Sequence, residues 1–425
     1  MRSPLLFTLV ATLAVGAGCR TRPERASMSD HMPPADAAPG EGRQGATDAG
    51  ADSRGPACAV PVGSSTARAL QALLDTAVEK NRGAGGGLLR IESGECGVLW
   101  EGASGRLARG VDTPIAAGDT FEVASVTKAF TAAVALQLAE DGRVDLDAPI
   151  GDHLPASVTR GLLVVRGHDY GPELTARQLL GHRGGLPDVW SDGPFVSKDT
   201  NAFVRAFLRD PDREWPPAEV LDYARKLAPI DQPGRRHHYG DTAYVLLGLL
   251  IEQLEGAPLH AVFRQRIFAR LAMADTYLRY REPAPREARE SHRYEDRLDL
   301  FGQRRQSADW ASGGLVSSTR DLGRFAFALA GGEVLCEPAS LTAMTTWQPT
   351  GKKGIDYGLG LYRLQLDREL GELWGHDGHG NSFMYRWPSR NLVFVGTLNQ
   401  TRNDWWPMVA SAMKLLAAPT HEGTP

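Results

Sequence analysis

The sequence predicts an α/β (α+β) domain: an antiparallel sheet built from N- and C-terminal segments, flanked by helices, with a mostly helical region inserted between the two halves. Strand-like apolar runs occur near both ends of the folded part, and amphipathic helical patterns bracket them. Between them, over roughly residues 145–327, helical pattern alternates with long polar loops. Composition agrees, because 425 residues with 42% hydrophobic and 23% charged side chains describe a globular chain able to bury a large core. The 47 basic and 51 acidic residues leave a formal charge of −4, far from the basic excess used on nucleic acid, so no nucleic-acid partner is expected.

Residues 1–18 read as a signal peptide: Arg2 supplies positive charge, Leu5 to Val15 is an uncharged apolar stretch, and Gly16-Ala17-Gly18 precede Cys19. The stretch is shorter than the about 20 apolar residues that span a bilayer. Small residues before a cysteine resemble the bacterial lipobox, although Gly16 stands where an aliphatic residue is usual; a lipid tether through Cys19 and cleavage with release are equal alternatives. Residues 19–60 read as a disordered tether, since Arg20 to Ala57 contains no Leu, Ile, Val, Phe, Tyr or Trp to offset the entropy of ordering. The expected localisation is the periplasm or cell envelope. Cys58 and Cys96 are candidates for a disulfide in such a compartment, and unpaired structural thiols are the equal alternative.

The folded domain, residues 61–425, opens with Leu70, Leu73, Leu74, Ala77 and Val78 at helical spacing. Strand-like runs at Gly87 to Ile91 and Gly97 to Glu101 flank a Ser93-Gly94-Glu95 turn. Near the carboxyl end, Leu361 to Leu366, Ser382 to Trp387 and Leu392 to Leu398 read as consecutive antiparallel strands. A last helix follows, striped by Trp405, Val409, Ala412 and Leu416.

The chemistry concentrates at Ser125-Val126-Thr127-Lys128, which runs into an Ala-rich segment free of Gly and Pro until Gly142. Three residues make nearly one helical turn, so Ser125 and Lys128 share a face. A serine hydroxyl needs a neighbouring base near neutral pH, a lysine amine can serve when its pKa is depressed, and a helix N-terminus favours a developing oxyanion.

Five ordered segments resemble motifs of the penicillin-recognising serine hydrolases: class C β-lactamases, serine DD-peptidases and related esterases. Phe121 to Lys128 resembles that family's nucleophile segment. Thr175 to Pro187 resembles its Leu-Leu-x-His-x-Ser-Gly-Leu stretch, with Gly184 at the serine position, and Tyr239-Gly240-Asp241 resembles Tyr-x-Asn. Gly313 to Leu322 resembles Gly-Gly-Leu-x-Ser, and His376-Asp377-Gly378-His379 resembles the His-Thr-Gly or Lys-Thr-Gly motif. The resemblance spans about residues 66–417 and implies a β-lactamase/transpeptidase-like fold, a small-molecule or peptide substrate, and no metal or organic cofactor. It implies that Ser125 is acylated and that Lys128 and Tyr239 share acid/base work through depressed pKa values. Backbone N–H groups of Ser125 and His379 would form the oxyanion hole, and Gly378 would leave room for substrate against the strand.

Two departures bear on substrate. Asp241, when ionised, only accepts hydrogen bonds where the family's Asn also donates. Asp377 stands at a threonine position that helps hold the substrate carboxylate and, facing the cleft, would repel it; a protonated His376 would offset part of that. The reading is therefore a serine hydrolase for ester or amide substrates. A DD-carboxypeptidase or class C-like β-lactamase and a non-catalytic cell-wall or partner-binding homologue are the rivals. Among other candidates, His237 and His238 read as surface histidines rather than zinc ligands, and His182 as a packed histidine held in a turn. Arg281 to Arg305 reads as a solvated charged loop that can border the cleft, and Trp190, Trp215 and Trp310 as packing residues.

Overall fold

The computed structural model describes residues 59–80, 85–193, 200–285, 288–401 and 404–417, together with the backbone of 195–197. The expected leader, residues 19–58 of the expected tether, Cys19 and Cys58 lie outside the described residues; the tether's expected end at residue 60 falls too late, because the Val60 N–H donates to the Leu99 carbonyl at 2.9 Å and its side chain packs on the core. In chain order, helix α1 (Ser65–Glu79) is followed by strands β1 (Gly86–Ser93) and β2 (Gly97–Gly105). The inserted region holds α2 (Thr127–Glu140), α3 (Asp241–Glu255), α4 (Trp310–Gly313) and α5 (Thr319–Ala330), with several shorter elements between. The chain then returns through β3 (Gln348–Lys352), β4 (Ile355–Tyr357), β5 (Tyr362–Gln365), β6 (Glu372–Gly378), β7 (Ser382–Trp387), β8 (Leu392–Thr397) and helix α6 (Trp406–Ala417).

These eight strands form one antiparallel sheet in the order β3-β4-β5-β6-β7-β8-β1-β2, so the two chain halves meet where β1 pairs with β8. Side-chain alternation divides the core between the sheet's two faces. Leu89, Phe383, Tyr385 and Phe394 pack with Leu70 and Leu74 of α1 and Val409 and Met413 of α6. Leu88, Met384, Val393 and Val395 face the helical region, whose centre is α2. Every residue of α2 from Thr127 to Leu138 is buried; its small alanines let neighbours approach closely, as where Ala132 meets Gly360, whose φ of +84° and absent Cβ make room.

Two expectations need amendment. The C-terminal half supplies six strands rather than three: β3 and β4 at the sheet edge, and β6 in its interior. The β3 segment contains Pro349 and Gly351, poor strand formers that an edge position tolerates. The β6 run Trp374-Gly375-His376-Asp377-Gly378 has low strand propensity, and pairing with β5 and β7 on both sides overrides it. Cys96, in the β1–β2 turn, and Cys336, beyond α5, are both disulfide-bonded rather than free thiols.

A small antiparallel sheet sets up the site. Phe121–Glu122 and Tyr277–Leu278 both pair with Leu315–Ser317. The Val123 N–H donates to the Leu315 carbonyl at 3.0 Å, and the Leu315 N–H donates to Thr127 Oγ1 at 3.1 Å. The turn preceding α2 is thereby fixed against the segment that follows α4.

Candidate active site

Ser125 occupies a single 3₁₀ turn, Ala124–Val126, leading into α2. Ala124 holds a φ of +45°, a strained value for a non-glycine residue that persists only where surroundings enforce it. Gly378 is part of that enforcement: a Cβ there would lie 2.4 Å from the Val123 carbonyl and 2.9 Å from the Ala124 Cβ. The nucleophile turn itself therefore requires glycine at this position.

Lys128, in the first turn of α2, is fully buried. Its ammonium donates to Ser125 Oγ at 3.0 Å, Asp241 Oδ1 at 2.5 Å and the Ser312 carbonyl at 2.9 Å, which uses all three N–H groups. Ser312 had no sequence signal of this role because it acts through its backbone. Asp241 is the first residue of α3, where the helix dipole favours a carboxylate. Its own N–H donates to Asp188 Oδ1 at 2.9 Å. Burial, and then the Asp241 charge, push the Asp188 carboxyl above the usual range.

Tyr239 lies in the loop entering α3, and the Lys128 Nζ is 4.9 Å from its ring centroid. His182 clamps this loop on both sides of the tyrosine: its carbonyl accepts the His238 N–H at 2.8 Å, and its Nδ1 accepts the Gly240 N–H at 3.3 Å. The His182 ring packs 4.4 Å from the Tyr239 ring. Burial, then the neighbouring Tyr362 and Asp241, push the Tyr239 phenol well above its ordinary pKa, and a hydrogen bond with Ser125 offsets only part of this. This shift runs opposite to the depressed phenol expected, because burial and the nearby Tyr362 and Asp241 all disfavour the phenolate.

His376, Asp377 and Gly378 end β6, and His379 begins the following turn. The His376 Nδ1–H donates to the Asp377 carbonyl at 2.7 Å, which leaves Nε2 to accept from the Tyr357 hydroxyl at 3.1 Å. Burial, then the Lys128 charge, push this imidazole down to about 3, so it is neutral at ordinary pH and supplies no positive charge. Asp377 turns to the other face of the sheet, the one it shares with Phe383 and Tyr385, and accepts from the Tyr385 hydroxyl at 2.7 Å. The expected repulsion of substrate by Asp377 in the cleft thus falls away.

A cleft of about 510 Å³ lies over this floor, and both Ser125 and His379 line it, as do Tyr239 and Asp241. Its apolar lining comes from Trp190, Val204, Phe207, Leu208, Leu298 and Leu300. Trp190 is therefore a cleft residue, whereas Trp215 and Trp310 are core. The charged segment around residues 281–305 borders the cleft, as the sequence allowed, but it is not uniformly solvated. Arg293 is buried, and its Nε is 2.6 Å from Glu122 Oε2. Its guanidinium also donates to the His379 carbonyl at 3.2 Å, fixing the turn that carries the expected oxyanion N–H. The His379 ring pairs with Glu295 at 2.7 Å. His238 pairs with Asp192 at 2.8 Å, and the His237 ring packs against His182 and Tyr357.

A family model described as Beta-lactamase matches residues 70–407. Penicillin-binding protein 4* of Bacillus subtilis is 25% identical over 344 residues, covering 77% of this chain and 68% of its own. Among solved structures, the D-stereospecific amidohydrolase from Streptomyces sp. is 29% identical, with a TM-score of 0.68 over 81% of this chain and 98% of its own. The D-amino acid amidase from Ochrobactrum anthropi complexed with D-phenylalanine is 26% identical, with a TM-score of 0.69 over 83% of this chain and 99% of its own.

Proposed function

The chain belongs to the β-lactamase family of hydrolases, and from that premise we propose that it is an exported serine hydrolase in which Ser125 takes up the acyl group of an amide or ester. The observation that carries the reading is the convergence of Ser125, Lys128 and Tyr239, from two segments far apart in sequence, at the floor of one cleft.

In the resting state Lys128 is a triple donor and Tyr239 a phenol, so this set must lose one proton before attack. Asp241, 2.5 Å from the ammonium, is the exit for that proton. The freed amine then takes the Ser125 proton as the Oγ–carbon bond forms, and the oxyanion develops toward the N–H groups of Ser125 and His379. Collapse of the tetrahedral species breaks the bond to the leaving nitrogen or oxygen, which receives its proton through the Tyr239 hydroxyl. Water, entering by the reverse route, releases the acid and restores Ser125.

Charge favours an amide or ester without a carboxylate on its leaving group. Four carboxylates, Asp188, Asp241, Glu295 and Asp309, line the cleft, and its basic groups are already engaged: Lys128 with Asp241, the His379 ring with Glu295 and Arg293 with Glu122. The neutral His376 adds no compensating cation. The second reading, a DD-carboxypeptidase, draws on the similarity to a putative D-alanyl-D-alanine carboxypeptidase of Escherichia coli, 28% identical over 160 residues. Export draws on the leader pattern and on the disulfide-bonded Cys96 and Cys336, since structural disulfides are rare in reducing compartments.

The test is intact-protein mass spectrometry after incubation with a fluorophosphonate and with a panel of amino-acid amides, neutral esters, D-alanyl peptides and penicillins. The proposal expects stoichiometric fluorophosphonate labelling, lost in Ser125→Ala, and turnover of amides or esters. Folded wild-type protein that neither labels nor turns over any of the panel would leave the binding-only rival standing.

A further inference from the structure

We propose that Asp309 is the residue that selects the substrate, by receiving an ammonium group carried on the acyl side of an apolar amino-acid amide or ester. The inference rests on the serine hydrolase reading above and names the substrate class of that same site.

Asp309 lines the cleft immediately before α4, the element whose Ser312 carbonyl holds Lys128. Gly313 marks how near it stands to the nucleophile: a Cβ on that glycine would be 3.3 Å from the Asp309 Cβ and 3.6 Å from the carbonyl carbon of Ala124, the residue preceding Ser125. A substrate bonded to Ser125 therefore lies within reach of this carboxyl. Its one cationic neighbour within 4.0 Å among the described residues is Arg293, whose Nη2 is at that limit and whose other donors serve Glu122 and the His379 carbonyl. The carboxyl is thus half-buried at the cleft, adjacent to the reacting centre and without a close ion pair, an arrangement that costs free energy until a cation arrives. Burial pushes it up to about 7 in the free protein, with Asp241 and Glu122 raising it and Arg293 and His379 lowering it. The apolar lining residues Trp190, Val204, Phe207, Leu208, Leu298 and Leu300 belong to the same cleft and offer an aliphatic or aromatic side chain of that acyl group a surface to bury against.

The experiment compares wild type, Asp309→Asn and Asp309→Ser on a matched pair of substrates: phenylalanine 4-nitroanilide, in each configuration, and 3-phenylpropanoyl 4-nitroanilide, which lacks only the amine. Wild type is expected to prefer the amino substrate in kcat/KM, and the ratio between the two substrates to fall by about 10- to 100-fold in either variant, the loss of one charge-assisted hydrogen bond. A measurement on wild type alone covers the case of misfolded variants. Protonated 2-phenylethylamine should inhibit competitively at least 10-fold more tightly than 3-phenylpropan-1-ol. Hydrolysis of both anilides with equal efficiency, or a ratio unchanged in the variants, would overturn the role of Asp309 and leave the hydrolase reading intact. Failure of wild type to label with fluorophosphonate and to cleave either anilide would overturn the hydrolase reading itself.

Discussion

Replacing Asp309 by Asn should stabilise the protein, and the gain should depend on pH with a definite sign. In the unfolded chain this carboxyl titrates near 3.8, while in the fold burial lifts it to about 7. Between those values the native state holds a proton that the unfolded state has released, so native stability falls as pH rises from about 4 to about 7 and is level beyond. At 1.36 kcal/mol per pKa unit, a rise from 3.8 to about 7 corresponds to a ceiling of about 4 kcal/mol above neutral pH. Relaxation and water at the cleft mouth bring the expected gain to about 1–3 kcal/mol. Denaturant unfolding of wild type and variant at pH 4, 6 and 8 measures it. The difference should be small at pH 4 and largest at pH 8. A difference that is constant with pH, or that shrinks as pH rises, would refute the claim that this carboxyl is held at a desolvation cost. Together with the anilide comparison, the result would describe a group that weakens the fold in order to serve the site, a recurrent trade.

Gly378→Ala should displace the nucleophile turn, since its new methyl would stand 2.4 Å from the Val123 carbonyl, and reduce fluorophosphonate labelling at least 10-fold with about 1–3 kcal/mol lost in denaturant unfolding. His182→Ala should release the loop bearing Tyr239 and lower kcat by about 10- to 100-fold with a smaller change in KM; a loss confined to KM would argue against a positioning role.

Local pattern carried the elements whose signal is local. Ser125 and Lys128 were legible because helix geometry alone puts positions three apart on one face, and the strands at Ser382–Trp387 and Leu392–Thr397 because their apolar runs are continuous. Tyr239 emerged only through motif resemblance, since nothing in its spacing ties it to Ser125. Arg293 and Asp309 escaped as site residues because their burial is decided by long-range packing, and a run of alternating charges reads as solvated until one guanidinium is enclosed. The direction of Asp377 was undecidable from composition: a strand's register parity chooses the face, and here it sends the carboxylate to Tyr385. The Tyr239 phenol inverted its expected shift for a similar reason, as burial is a property of the assembled cleft and not of the motif.

The seam between β1 and β8 has a temporal consequence. Leu88 finds Thr397 across it, a partner some three hundred positions later in synthesis, and Gly378 locks the Val123–Ala124 turn only after β6 has emerged. A chain still being made therefore carries Ser125 in a turn that β6 does not yet brace. On the hydrolase reading proposed above, reactivity would wait for these distant pairings, which are slow to form.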